Sequence, residues 1–202
     1  ARRRPARGKG KNMENAVKTR KKSFITPKKI TLAAIFMALN VIMSSFGIPV
    51  PGGSFYLCDA VICTAAILLD PVTAFAVGGI GSLIGDFFFY PSAMVVSLVV
   101  HGLQAAVISL VVNGTDEIRG LPVKPRRFGK AVIGVALGTL IMTVGYTIGA
   151  AVVYSTPEYA VINIPYELLQ SGIGSAASLL ICYRFGLIKV YDRFFGKPVA
   201  AN

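Results

Sequence analysis

The chain has 202 residues, 54% hydrophobic and 15% charged, with 21 Lys and Arg against nine Asp and Glu and a formal net charge of +12. A soluble domain carries about 25% charged residues, and here the charge gathers at the two ends and in one middle segment, so an ordinary soluble core is excluded in favour of a bilayer protein. The basic excess does not point to nucleic acid, because no aromatic–basic interleaving or base-reading motif accompanies it.

The first 28 residues form a basic tail, and twelve of the 21 basic residues precede Thr31. Met13 reads as a natural start, so residues 1–12 are set aside from functional reasoning as an appended leader. The first apolar run spans Ile30 to Phe46. Pro27 with Lys28 and Lys29 opens it, as at the cytoplasmic start of a helix, and the breaker Gly47-Ile48-Pro49-Val50-Pro51-Gly52-Gly53 ends it. A short second run, Tyr56 to Leu69, stops at the tight turn Asp70-Pro71. The third, Val72 to Phe87, is rich in glycine. Tyr90-Pro91-Ser92 opens the fourth, which extends to Val112. A polar, basic loop (113–128) follows, with Arg119, Lys124, Arg126 and Arg127 in it and Lys130 just beyond. The fifth run covers about Lys130 to Val153. The segment Tyr154 to Ile164 reads as a loop, and Pro165 as the first turn of the sixth, which ends near Tyr183-Arg184.

These runs predict an all-α polytopic membrane protein with six transmembrane helices over residues 29–189 and a tail over 190–202. With six crossings, every Lys and Arg falls on one side and none on the other. The positive-inside rule then places both termini and the 113–128 loop in the cytoplasm. The external connections, 47–55, 88–91 and 154–164, are short and rich in Pro, Gly and aromatic residues.

Small residues recur at four-residue spacing: Ala34/Ala38, Gly78/Ser82, Gly81/Gly85, Gly134/Gly138 and Gly145/Gly149. Such pairs let helices approach closely in lipid. Most are expected to pack inside the bundle, and Ala34/Ala38 is the candidate for an outward partner surface. Cys58, Cys63 and Cys182 form no C-x-x-C pair and read as small buried hydrophobes.

Ionisable groups within membrane spans are costly and default to function. Four occur here: Asp59, Asp86, His101 and Glu167, all expected in the outer half. Glu167 is read as one turn into the last helix, and His101 as about 13 Å deep at 1.5 Å per residue. Gln104, Tyr146, Thr147, Asn163 and Gln170 share that depth, with Asn40 deeper. Phe55, Tyr56, Phe87, Phe88, Phe89 and Tyr90 supply aromatic surface at the same end. The start of the last helix is expected to add free N–H groups facing outward. Together these residues suit a small, polar, partly aromatic ligand. Asp59 and Asp86 also suit a plain interfacial position in water, and His101 a bridge between helices.

The chain lacks a phosphate-binding Gly-x-x-x-x-Gly-Lys-Ser/Thr loop, a His-Glu-x-x-His pair and a serine elbow with a histidine partner. It holds a single His, which cannot build a multi-His metal site. No ATP hydrolysis, resident cofactor or catalysis is therefore expected of it. No inverted repeat stands out, which weighs against a free-standing secondary transporter.

The stretch Leu57-Cys58-Asp59-Ala60, then Leu69-Asp70-Pro71-Val72-Thr73-Ala74-Phe75-Ala76-Val77-Gly78-Gly79-Ile80-Gly81-Ser82-Leu83-Ile84-Gly85-Asp86, resembles the substrate-binding S component of energy-coupling factor (ECF) vitamin transporters. The Ala34-x-x-x-Ala38 pair and the Asn163-Ile164-Pro165…Gln170 segment are similar too, and the resemblance covers residues 28–188. It implies a cell-membrane subunit, of a bacterium, that binds one vitamin or precursor from outside. Its implied partners are a membrane coupling protein (the T component), contacted through Ala34 and Ala38, and two cytoplasmic ATPases that use ATP with Mg. It further implies a ligand site at His101, Gln104, Tyr146, Asn163, Glu167 and Gln170, beside Asp86 and Tyr56. The nearest subfamily is the hydroxymethylpyrimidine/pyridoxine type. Riboflavin and pantothenate types stay open, the latter disfavoured by the lack of an outer Lys or Arg. An independent small transporter or channel is the alternative from another class.

Overall fold

A computed structural model describes residues 26–50, 53–116, 118 and 125–195. Residues 1–25, 51–52, 117, 119–124 and 196–202, with the topology signals assigned to them, lie outside that description. Helix α1 (Pro27–Ser45) begins where Thr26 accepts a hydrogen bond from the Lys29 backbone N–H, with proline at its first position. Strands β1 (Ile48–Val50) and β2 (Gly53–Phe55) pair antiparallel, Ile48 opposite Phe55. They are followed by α2 (Cys58–Leu68), α3 (Pro71–Phe89), α4 (Met94–Asn113), α5 (Phe128–Tyr154), α6 (Pro157–Arg184) and α7 (Leu187–Phe195).

Among the described residues four helices, α1, α3, α4 and α5, are long and apolar enough to cross a membrane. A fifth span is reached only if α6 is taken with α7, to which it is bent by 61°. The expectation of six full crossings is thus met only in part. The discrepancy lies at α2, whose 11 residues reach roughly 16 Å against a hydrocarbon core of about 30 Å. Nine of those residues are buried, so α2 lies inside the bundle and not against lipid. Its final carbonyls would be unsatisfied there, at a cost of several kcal/mol each in hydrocarbon. Side chains take them up. Asn113 donates to the carbonyls of Ala66, Ile67 and Leu69. Ser109 donates to Leu69, and Arg126 to Ile67 and Leu68 at 3.1 and 2.9 Å.

Other differences from the sequence reading have local causes. The breaker after α1 contains a short sheet, which Pro/Gly-rich strands of three residues do not announce. The segment 154–164 is mostly helical. Thr156 caps α6 through the Tyr159 N–H, Pro157 occupies the first helical position, and Pro165 sits inside the helix. Glu167 is therefore about three turns from the start of α6, and the helix N-terminus is displaced from where it was expected. Helix α4 starts at Met94, placing His101 about 10 Å along it. Helix α7 runs across residue 190, where the sequence suggested a tail.

The spaced glycines pack helix on helix. A Cβ on Gly138 would meet Ile108, one on Gly145 would meet Val100, one on Gly149 Val96 and one on Gly85 Ser44. Ala34 and Ala38 instead face outward. All three cysteines are free and buried.

Ionic contacts gather one end of the bundle. Lys29 Nζ lies 2.7 Å from Asp70 Oδ2, both side chains buried. Asp70 also caps α3 through the N–H groups of Val72 and Thr73. Arg126 pairs with Asp192 of α7 at 3.0 Å and stacks over Tyr191. Every described Lys and Arg lies at or near this end.

Candidate functional site

The opposite end holds a cavity of about 430 Å³ between the sheet and the ends of α1 to α6. Its formation starts in α3. Residues Ala76–Ile80 form a wide, π-helical turn, a feature often placed at functional sites. Gly78 and Gly79 in that turn lie against the backbone of α4, where a Cβ would come 2.5 Å from the His101 carbonyl and 2.7 Å from that of Leu98. Asn40 of α1 donates to the Val77 carbonyl and to Ser82, both at 3.1 Å. Its role in the structure is thus to brace the turn. Past the turn, Asp86 reaches the cavity and accepts from the Ser97 hydroxyl, which lies 2.5 Å from the Tyr146 hydroxyl.

Seven of the eight ligand-site residues named from sequence line this cavity: Tyr56, Asp86, His101, Tyr146, Asn163, Glu167 and Gln170. Gln104 is fully buried behind it. Phe55, Phe89 and Tyr90 line it too, whereas Phe87 and Phe88 point away and are 59% and 67% exposed. Tyr154, Tyr159 and Tyr166 complete the aromatic wall and were missed in the sequence, because the first two fall in a segment read as loop. Tyr90 and Tyr154 meet edge to face at 6.2 Å, as do His101 and Tyr146 at 5.3 Å.

The sequence leaves Asp59 either functional or interfacial. It is neither at the surface nor on the cavity wall but fully buried. One oxygen accepts from Gln104 Nε2 at 2.8 Å and the other from Gln170 Nε2 at 2.9 Å. The Gln104 carbonyl faces His101 Nδ1 at 2.7 Å, and the Gln170 carbonyl accepts from the Tyr56 backbone N–H at 2.8 Å. This geometry needs close approach of α6 to α2, which Gly174 permits: a Cβ there would lie 2.4 Å from that of Asp59.

The lining offers two carboxylates, one imidazole, amides, hydroxyls and eight Phe and Tyr side chains, with no Lys or Arg among it. Such a wall stacks and hydrogen-bonds a neutral or weakly cationic heteroaromatic compound and repels an anion. No cluster of three potential metal-ligating side chains occurs among the described residues.

The chain is 29% identical to a protein of Pyrococcus woesei described as an uncharacterized protein in a gap 3′ region, over 157 residues that make up 75% of this chain and 99% of that protein. Residues 24–185 match the family described as ECF-type riboflavin transporter, S component. That match spans the bundle from before α1 to the end of α6, so the chain belongs to the family of S components of ECF-type riboflavin transporters.

Proposed function

We propose that the chain binds riboflavin from the outer face of the cell membrane and presents it for uptake driven by partner ATPases. As an S component it is a substrate-binding membrane subunit and not an enzyme. The observation that carries the choice of ligand is the cavity. Its volume of about 430 Å³ lies in the range of roughly 300–1,000 Å³ that suits a drug-sized molecule. A tricyclic flavin with a polyol tail fills such a space. The single ring of pyridoxine or hydroxymethylpyrimidine, favoured on sequence, leaves much of it empty. Six tyrosines offer stacking faces and hydroxyls together, which suits a ligand half aromatic and half polyol.

Sidedness follows from charge. With the Lys/Arg-bearing end inside, the cavity opens outward and both termini are cytoplasmic. The outward alanine face of α1, with exposed Ile35, Leu39 and Ile42 beside it, is then the surface for the membrane coupling protein, with two ATPases beneath. Purified protein without partners is expected to quench riboflavin fluorescence at one-to-one stoichiometry and to retain a flavin identifiable by mass spectrometry. Binding of pyridoxine or hydroxymethylpyrimidine with no response to riboflavin would reassign the ligand. Concentrative uptake into proteoliposomes by this chain alone would replace the whole reading with an independent transporter.

A further inference from the structure

The buried chain of hydrogen bonds behind the cavity has a direction, and that direction is set far from the ligand. The starting point is a backbone N–H, which can only donate. The Tyr56 N–H points at the Gln170 side chain, so the atom it meets is the carbonyl oxygen, and the Gln170 amide nitrogen must face Asp59. Asp59 accepts at both oxygens, being an acceptor without a donor of its own in this arrangement. Its second oxygen therefore takes the amide nitrogen of Gln104. That leaves the Gln104 carbonyl toward His101 Nδ1, and a carbonyl can only accept. Nδ1 must carry the hydrogen. The tautomer of an imidazole is set by the bond its other nitrogen makes, so in the neutral ring Nε2 keeps its lone pair, on a side chain that lines the cavity.

We propose that Asp59 is a positioning residue that holds His101 in the Nδ1–H tautomer, so that Nε2 accepts a hydrogen bond from an N–H or O–H of the ligand. The same carboxylate ties the loop after β2 to the imidazole, because the Tyr56 N–H and the His101 ring are the two ends of one relay. The reading rests on the cavity being the vitamin site. Flavins carry both kinds of donor, a ring imide N–H and the hydroxyls of the tail.

Asp59→Asn makes a sharp test, because it keeps every bond and reverses half of them. Gln170 stays pinned by Tyr56 and still needs an acceptor, so the carbonyl of the substituted amide turns to it. The new NH₂ then faces Gln104, whose amide turns over and offers its nitrogen to His101. Nδ1 becomes the acceptor, and Nε2 becomes the donor. The fold is expected to survive, while the ligand donor meets a donor.

His101 is the only histidine in the chain. Protein labelled with ¹⁵N-histidine therefore gives one pair of ring signals, whose shifts separate a protonated nitrogen from a bare one. The expected result is Nδ1–H in the ligand-free native protein, Nε2–H in Asp59→Asn, and riboflavin affinity lowered roughly tenfold or more in the variant, the scale of one lost buried hydrogen bond. An Nε2–H tautomer in the native protein overturns the proposal even if the variant fails to fold. A variant with inverted tautomer and unchanged riboflavin affinity overturns the link to the ligand. A native protein with Nδ1–H that does not bind riboflavin sinks the assignment of ligand and leaves the relay standing.

Discussion

Gly174→Ala tests whether the close approach of α6 to α2 is what assembles the buried network. The added methyl would lie 2.4 Å from the Asp59 Cβ, 2.9 Å from the Ala60 backbone nitrogen and 3.0 Å from the Asp59 carbonyl carbon. Two of those three atoms are backbone and cannot swing aside. Ordinary carbon contacts need about 3.5–4.0 Å, so the helices must part by about 1 Å. The bond from Gln170 to Asp59 starts at 2.9 Å and would pass the upper limit of about 3.2 Å. Overpacking costs about 1–3 kcal/mol, and a strained buried hydrogen bond adds about 1 kcal/mol. The thermal midpoint in detergent should fall, and the riboflavin affinity should drop about tenfold or more. Gly172→Ala is the control on the same helix, since its Cβ would meet nothing within 4 Å and alanine is the better helix former by about 1 kcal/mol. Equal behaviour of the two variants in fluorescence titration and thermal unfolding would refute the argument.

Ala34→Leu is expected to leave riboflavin quenching intact while weakening co-purification with the coupling protein, because Ala34 faces outward at the end of α1 remote from the cavity. Loss of both together in a pull-down and a titration would count against the interface. Arg126→Met removes donors from the Ile67 and Leu68 carbonyls and strands Asp192. We expect a loss of about 2–5 kcal/mol, read as a lower thermal midpoint with little change in ligand affinity once folded. Saturating riboflavin should raise the midpoint of the native protein, by about 2.7 kcal/mol of stabilisation at one hundred times the dissociation constant, and pantothenate should not, because no cation lines the cavity.

The outline of the bundle and much of the cavity wall were legible for one reason: polar and ionisable residues in otherwise apolar helices stand out. Asp86, His101, Glu167 and Gln170 could be picked out before any geometry, and helix periodicity put Glu167 and Gln170 on one face. What stayed hidden depended on partners distant in sequence. Asp59 looked like Asp86 as a letter in an apolar run, and only the arrival of Gln104 and Gln170 from two other helices makes it a buried hub. Asp70 read as a turn residue, and Lys29, forty-one positions away, makes it an ion pair. The start of α6 was misplaced because Pro157 and Pro165 both make acceptable first residues, and the choice was decided by the Thr156 cap. The tyrosines at positions 154 and 159 were lost with it.

The wide turn in α3 behaves as a single inserted residue in an otherwise regular helix. If the same five residues 76–80 closed as an ordinary α-helix, with none removed, everything beyond would rotate by about 100°. Asp86 would leave Ser97 and Tyr146 and turn toward a different side of the helix. Asn40 would face a carbonyl already spoken for. The position of an acidic side chain at the cavity is therefore set by the width of one helical turn as much as by residue identity. A relative one residue shorter between Phe75 and Gly81 would keep its carboxylate aimed the same way by closing that stretch as a plain α-helix, whereas one of equal length that did so would aim it elsewhere.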